Sequence, residues 1–572
     1  MNMQKRTSNL INKAFNQYLW ASILTVAATQ IANIVDAAIV GNLIGSDALA
    51  AVNMNKPLLQ AFFAVTCLYV ASSTMLAGMS IGRGNRKAAD RLFSFSVGFS
   101  LFLGLLFTAS GMVWFNQLSN LLCQSETLRP LSDAFMRVTL ISSVPQLIML
   151  TINQYVTVDG DPKMVSRAVI VGNIFNILFD IVFIKFCGWG IAGAAIATCV
   201  MYVVCIIMVL PHFRKKDTLR LCRTKPGDVE LGKIFSVGLP FFFSTVLLSV
   251  QYVGNNSVAS RYLGDDGLVA LAVCVQLFAF SMIILNGTLR TIQPVGSILK
   301  GLDDNRGMQM LMKRGYAFMG ICFIVFTAFL VLFPAQIGSM LGVKEAGGLA
   351  MVRTALPLFS LNIVFQALLC ILLPVFQFYE RKGLALLLSV AQTLLPMLFF
   401  LWLRGNWLGF FVGQVVTGLM ILVWEMILRH KNPRLSRFLL IPVQSEAERL
   451  DITVQPTAQS LGEAVSGLQS FLSSKGVSSH IVNASVVCAE ELMNNIIRHG
   501  KATSIDLAAN LADDGTVRIM IHDDGMPFNP LAAFNDSDVK IGMGLTLTGA
   551  FCKDMDYKYI FNQNIVNLKI AQ

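Results

Sequence analysis

The sequence predicts a polytopic helical membrane protein, twelve spans in two six-helix lobes, followed by a C-terminal α+β sandwich domain. Bulk composition is the first reason: 572 residues, 55% hydrophobic and 13% charged, are too apolar for a soluble protein and too long for one compact core. The second is a series of about twelve long apolar stretches that ends at Arg429. The third is a break in composition after that point. The polar tail then carries, in order, Glu491-Leu492-Met493-Asn494-Asn495, Asp523-Asp524-Gly525 and Gly542-Met543-Gly544-Leu545.

A helix needs roughly 20 apolar residues to cross a bilayer core. Stretches of that kind lie near residues 16–42, 57–81, 92–116, 132–157, 165–187, 190–211, 233–256, 267–292, 314–333, 350–376, 383–403 and 406–429. They are too long and too uniformly apolar for barrel strands, which alternate over about ten residues. Met1 to Lys13 is basic, but the span from Phe15 has no short apolar core ending in a small-residue cleavage site, so it is expected to remain as the first helix. The expected division is a transporter body over 1–430 (N lobe about 10–215, C lobe about 225–430), a linker over 431–447 and the tail domain over 448–572.

The net charge of +11 raises the question of nucleic acid, which its distribution answers. Lys and Arg gather in alternate connections, such as Lys5, Arg6 and Lys13, Arg83 to Arg91, Arg214 to Lys225 and Arg429 to Arg437. Intervening loops hold few, among them Lys56, Arg129 and Lys185. Basic loops stay cytoplasmic. The expectation is therefore a multi-pass protein of the plasma (inner) membrane with both termini in the cytoplasm, lipid as its surroundings and no nucleic-acid partner. The eleven cysteines fall mostly within spans without Cys-x-x-Cys spacing, so they read as small buried residues and no metal site is expected from them.

The body repeats itself. Gly45, Asp47, Leu49 and Ala51 match Gly264, Asp266, Leu268 and Ala270 at a constant offset, with an even number of spans between. Both copies then have one orientation, which implies two halves related by an axis along the membrane normal with a cavity between them. The halves differ in one acid: Asp36 lies inside the first span and the neutral Asn255 takes its place in the repeat. An Asp near a helix centre costs about 2.5–3.5 kcal/mol on insertion scales, so it calls for a wet cavity or a partner. Asn173, Asn176 and Asp180 in the fifth span share one helical face. Two carboxyls at similar depth can share a proton or hold a monovalent cation. The alternative is that Asp36 caps a helix end and Asp180 bonds a neighbouring helix. Thr198 on the sixth span adds a hydroxyl, although a lone membrane Thr more often bonds its own backbone. Asn153 reads as packing or cavity lining. Phe, Met and Gln, such as Met282, Gln293 and Gln366, suit a cavity lining for varied ligands, although side chains of these types are more often core packing or lipid-facing.

Val35-Asp36 with Gly41, Gly45 and Ala48-Leu49-Ala50-Ala51, together with Asn153, Gly160-Asp161-Pro162-Lys163, Asn173, Asn176 and Asp180, resemble the multidrug and toxic compound extrusion (MATE) transporters over residues 10 to about 430. The resemblance implies a cation-coupled antiporter of two six-helix lobes. It implies that Asp36, Asn176 and Asp180 bind the coupling Na⁺ or H⁺ in the N lobe, with Thr198 in the same network. The second lobe departs from members that carry a carboxylate in the seventh helix, since this chain has Gln251, Asn255 and Asn256 there.

In the tail the expected order is strand 450–454, helix 459–474, helix 479–499, strands 504–510 and 516–522, helix 545–553, and a hairpin of 557–561 and 566–570 turning at Asn562-Gln563-Asn564. Alternation in Val517-Arg518-Ile519-Met520-Ile521 supports a half-buried strand. Glu491 and Asn495 share a helical face, which puts an acid able to polarise a nucleophile beside an amide oxygen able to ligate Mg²⁺. Asp523 leaves a strand end where its carboxylate can accept from an adenine amino group, and Gly525 lets the backbone approach the base. Gly542 and Gly544 open a helix whose free N–H groups favour phosphate. These residues, with Pro527-Phe528-Asn529-Pro530, resemble the GHKL ATPase fold and within it the anti-sigma-factor serine kinases. That resemblance implies ATP and Mg²⁺ binding, with Glu491 as the kinase-like base, and phosphorylation of a serine on a small anti-anti-sigma-like partner.

The leading expectation is an antiporter that exports cationic or other small amphiphilic molecules, driven by an ion gradient because no Walker-type loop is present, with an ATP-binding regulatory or kinase-like tail. Two rivals stand beside it: a flippase for lipid-linked precursors, which a cavity lined with Arg or Lys would favour but which spans nearly free of basic residues speak against, and a membrane-anchored signalling kinase whose body senses ligand.

Overall fold

The computed structural model describes residues 6–571 except 124, 216–217, 444–447, 513–514 and 532–547. Among these, eleven helices are long and apolar enough to cross a membrane. One of them, Leu231–Gly301, has 71 residues. Straight, it would extend about 105 Å, more than three times the roughly 30 Å of a bilayer core. It breaks at Gly264, where φ is 65°, and so supplies two passes. The twelve passes are α1 (Asn9–Leu43), α2 (Ser46–Gly82), α3 (Arg86–Val113), α4 (Arg129–Val158), α5 (Pro162–Phe186), α6 (Gly190–Arg214), α7 (231–263), α8 (265–301), α9 (Asn305–Leu332), α10 (Ala346–Phe378), α11 (Lys382–Trp402) and α12 (Leu408–Lys431).

The repeated glycines explain the shared corner of the two halves. Gly45 closes α1 with φ 127° and Gly264 separates α7 from α8 with φ 65°. Both conformations are costly for a residue with a Cβ. Between α4 and α5, Gly160 (φ 107°) turns the chain, the Asp161 carboxylate caps α5 by accepting from the Met164 N–H at 3.2 Å, and Pro162 takes the first helical position, where its missing donor costs nothing.

The lobes close against each other at one end. A Cβ on Gly82 of α2 would stand 2.7 Å from the Gly301 Cα of α8, and one on Gly287 of α8 would stand 2.6 Å from Ile23 Cγ1 of α1. Near this end α2 has a π-helical turn at Cys67–Ala71, and the freed Ala71 carbonyl accepts from Gln293 Nε2 of α8 at 3.1 Å.

The tail is a five-stranded antiparallel sheet with strand order β1-β2-β3-β5-β4: β1 (Arg449–Val454), β2 (Ile505–Leu511), β3 (Val517–Asp523), β4 (Asp554–Ile560) and β5 (Gln563–Ile570). Helices α13 (Ala458–Ser474) and α14 (Ser479–Asn495) cover one face through a core that includes Leu468, Leu472, Cys488, Leu507 and Ile521. The β4–β5 turn differs from the expected one. Ile560 pairs with Gln563, so the turn is Phe561-Asn562, both at positive φ, the geometry of a two-residue hairpin. Gln563 and Asn564 belong to β5.

The other sheet face packs on the closed end of the body. Ala508, Met520, Ile560, Phe561 and Ile565 share one apolar core with body residues such as Tyr18 and Met79, and the Tyr18 and Phe561 rings meet edge to face at 5.4 Å. The expected linker is also partly folded: Leu435 and Leu440 pack with Leu372, Phe376 and Leu388 of the C lobe.

Candidate functional site

A cavity of about 910 Å³ opens between the lobes, walled by α1, α2, α4, α5 and α6, with Gln276, Phe280 and Arg290 of α8 facing them. Asp36, Asn173, Asn176, Thr198 and Asn153 all stand on its wall. Asp180 sits behind, fully buried, and its carboxyl lies within hydrogen-bonding reach of that of Asp36. No described residue donates to either Asp180 oxygen or to Asp36 Oδ1, and the Asn173 and Asn176 side-chain amides have no acceptor. Two bare carboxylates in that position would repel; a proton or a small cation between them removes the conflict.

On α5, Asn173 and Asn176 face the cavity with Asp180 behind them, and Asp36 lies within α1, which continues to Leu43, so it does not cap that helix. Thr198 Oγ1 donates to the Ala194 carbonyl of its own helix at 3.1 Å while lining the same wall. Asn153 donates to Met149 Sδ at 2.9 Å, so it both packs and lines. Asn255 is buried in the C lobe, away from this cavity.

Other wall residues differ from the expectation. Gln30, Gln60, Gln146 and Gln154 are present, whereas Met282, Gln293 and Gln366 are not; Gln293 is engaged with the Ala71 carbonyl. Lys56, grouped above with loop charges, lies on α2 and lines the cavity, as does Arg290. Their helices read as apolar throughout, so no sequence period assigned them a direction.

In the tail, α14 and the end of β3 converge. Glu491 and Asn495 occupy successive turns of α14, which passes into a π-helical turn at Ile496–Gly500. The Met526 N–H donates to the Gly500 carbonyl at 2.7 Å, and a Cβ on Gly525 would stand 3.0 Å from the Gly500 carbonyl carbon. The closeness required of Gly525 is thus to the α14 end, as well as to any base. Asp523 Oδ1 accepts from the Gly525 N–H at 2.8 Å and from Asn564 Nδ2 at 2.9 Å, and no described residue donates to its second oxygen. Burial lifts this carboxyl to about 6 against those two bonds. The residues present fit the base side of a nucleotide. Gly542 and Gly544 lie outside the described residues.

Asn564 was read only as a turn residue, yet it pins the loop. Besides Asp523 it donates to the Met526 carbonyl at 3.1 Å and accepts from the Phe528 N–H at 3.2 Å. Asp524 accepts from the Thr503 N–H at 2.7 Å and pairs with Lys13 of α1. Burial raises it, but these donors hold it at about 2.

The body and tail also share a charge cluster. Buried Arg6 reaches Asp506 of β2 at 2.9 Å, Asp304 at the start of α9 at 2.9 Å and Asp451 of β1 at 3.5 Å. Arg449 and Arg306 complete it, at 3.5 Å from Asp304 and Asp451 respectively. On the N-lobe side, Lys558 Nζ of β4 donates to the Gly82 carbonyl at 2.7 Å. Sequence periodicity held no signal for these pairs.

This architecture defines a two-lobed, twelve-pass membrane transporter with an ATPase-type domain attached at its C-terminal end. Residues 21–182 and 240–403 match the MatE family model, so the chain belongs to the MatE family. Residues 454–570 match the histidine kinase-like ATPase domain. A multidrug export protein of Staphylococcus haemolyticus is 24% identical over 262 residues, 45% of this chain and 57% of that protein; the chain thus spans little more than half of that relative. Among solved structures, the transporter from Pyrococcus furiosus described as having a binding pocket of reverse polarity aligns with a TM-score of 0.65 at 21% identity, over 75% of this chain and 100% of its own. An outward-facing multidrug resistance MATE transporter aligns with a TM-score of 0.66 at 21% identity, over 75% and 99%.

Proposed function

We propose that this protein is a cation-coupled antiporter that exports small amphiphilic molecules across the plasma membrane, with both termini cytoplasmic and an ATP-binding tail that regulates transport. The observation that carries the coupling is the Asp36–Asp180 pair, one member on the wall of the inter-lobe cavity and the other buried behind it with no donor. Neutralising that pair with H⁺ or Na⁺ stabilises the helix arrangement that brings α1 and α5 together, and Asn176 and Thr198 supply further polar atoms around the ion. Cargo favours the opposite arrangement, and coupling is the difference in its affinity for the two. The matched relative named for multidrug export supports a drug-like cargo.

The tail sits where it can act on the body, bonded to the N lobe through Lys558 at Gly82 and to the C lobe through Arg449 at Asp304. Asp523 and Gly525 would hold the adenine, Asn495 would hold Mg²⁺, and Gly542 and Gly544 the phosphates. Bound ATP supplies charge and binding energy at the edge of the domain that Lys13 touches. In a phosphotransfer reading Glu491 is the base and a small anti-anti-sigma-like protein the acceptor; burial of the sheet face against the transporter favours regulation instead.

Transport in proteoliposomes under imposed Na⁺ or pH gradients, with and without ATP on the tail side, tests this. Asp36→Asn and Asp180→Asn should each abolish gradient-driven export while the protein still folds. Export that keeps its cation dependence in both variants would refute the coupling site.

A further inference from the structure

Arg290 lies on α8, one turn from Gly287, where α8 packs on Ile23 of α1. It lines the closed end of the cavity, at the depth to which α1 contributes Ala21, Ser22 and Thr25. Among the described residues no carboxylate pairs with it and no acceptor bonds it. Its ionisable neighbour is the Cys67 thiol. The acid on the cavity wall, Asp36, faces Asp180 and forms no ion pair with Arg290. Lys56 adds a second cation to the wall. Thr25 spends its hydroxyl on the Ala21 carbonyl at 2.7 Å, while the Ser22 hydroxyl has no partner among the described residues.

A guanidinium within a membrane body is expensive unless it is satisfied, and it is retained where a pathway or ligand needs it. Its planar fork matches a carboxylate, sulfonate or phosphate with two parallel hydrogen bonds. A purely cationic cargo would gain nothing from it and would meet Lys56 as well. The apolar part of a cargo has Phe63, Phe280 and Met149 to pack against.

We infer that the cavity recognises an amphiphile bearing an acidic group, which pairs with Arg290 and the Ser22 hydroxyl at the closed end while its apolar part rests against the aromatic wall. This rests on the transporter reading above. It narrows the cargo to anionic or zwitterionic molecules, soluble or lipid.

The test uses the full-length protein in liposomes with three probes: carboxyfluorescein, ethidium, and phosphatidylglycerol labelled on its acyl chain. The wild type should move at least one of the two acidic probes, and which one moves tells a soluble cargo from a lipid. Arg290→Gln should lower the ratio of acidic-probe to ethidium transport at least about tenfold, chiefly through KM, and Arg290→Lys should recover part of it because the charge stays and the fork is lost. Ethidium export without movement of either acidic probe overturns the inference and leaves the antiporter standing. An unchanged probe ratio in Arg290→Gln also overturns it. If no probe moves under any gradient, the transporter reading fails and the inference falls with it.

Discussion

Replacing Arg6 by Gln should release the tail from the body. Arg6 is 3% exposed, and the carboxylates it serves are nearly as buried: Asp304 at 1%, Asp451 at 7% and Asp506 at 0%. Three acids face three guanidiniums, those of Arg6, Arg306 and Arg449. Removing the central one leaves an uncompensated buried charge, which costs about 3–5 kcal/mol. At about 1.4 kcal/mol per factor of ten, the ratio of docked to undocked tail falls by roughly a hundred- to a few thousand-fold. The domain's own core under α13 and α14 is untouched, so the tail stays folded. Hydrogen–deuterium exchange reads this directly: amides of residues 558–565 should lose protection while those of β2 and α14 retain it. The sign of the pH effect follows from Asp304. Burial by itself raises this carboxyl, and Arg6 and Arg449 bring it down to about 2. Without Arg6 it rises, so acidification should restore docking in the variant by neutralising the excess charge. Asp506→Asn added to Arg6→Gln should likewise recover part of the loss. Unchanged protection of 558–565 in Arg6→Gln would refute the assignment of this cluster as the tail's anchor.

Nucleotide binding should follow the charge of Asp523. Its carboxyl is lifted by burial to about 6 and must be ionised to accept from an adenine amino group, so ATP affinity, measured by calorimetry on the intact protein, should rise with pH through that value and be about tenfold weaker at pH 5 than on the plateau; a flat profile between pH 5 and 8 would remove Asp523 from the base site. Gly82→Leu should hold the lobes apart at the tail side, because the new Cβ would begin 2.7 Å from Gly301 Cα. Distances between spin labels on the tail-side ends of α3 and α9 should lengthen, and unaltered distances would contradict the closure described above.

The parts of the fold legible in the sequence are those with a local chemical demand. Apolar length marks a span, and the matched Gly45 and Gly264 mark one strained corner used twice. Spacing on α5 placed Asn173, Asn176 and Asp180 on one face, and Asp36 met them because an isolated acid in lipid must find a partner. Helix rotation was not legible in spans that are apolar all round. The spans therefore give Met282 and Gln293 no direction, and they give none to Gln60, Gln146, Lys56 and Arg290, which line the cavity. Arg6 and Lys13 read as topology signals, which uses their sign and ignores their partners. Asp304 and Asp506 lie far along the chain, and no periodicity reports contacts at that separation. The acid and glycine order of the tail revealed the domain, but not that its open sheet face belongs to the transporter.

That last contact constrains how the two parts of the chain work together. α1 is one continuous helix from Asn9 to Leu43. Lys13 near its start meets Asp524, beside the base site. Tyr18 a turn later packs on Phe561, and Asp36, about 35 Å along the axis from Lys13, meets Asp180. The same small sheet reaches Gly82 in one lobe through Lys558 and Asp304 in the other through Arg449. Opening the tail side would separate Gly82 from Gly301, and a rigid sheet cannot follow both lobes. A docked tail and an open tail side are therefore competing states. Any preference of nucleotide for the docked tail must appear as a preference for the closed lobes, and by linkage the state of the Asp36–Asp180 pair must return the same factor to nucleotide affinity. The direction of that coupling is set by which state ATP stabilises at Asp523 and Asp524, where the transporter has placed Lys13.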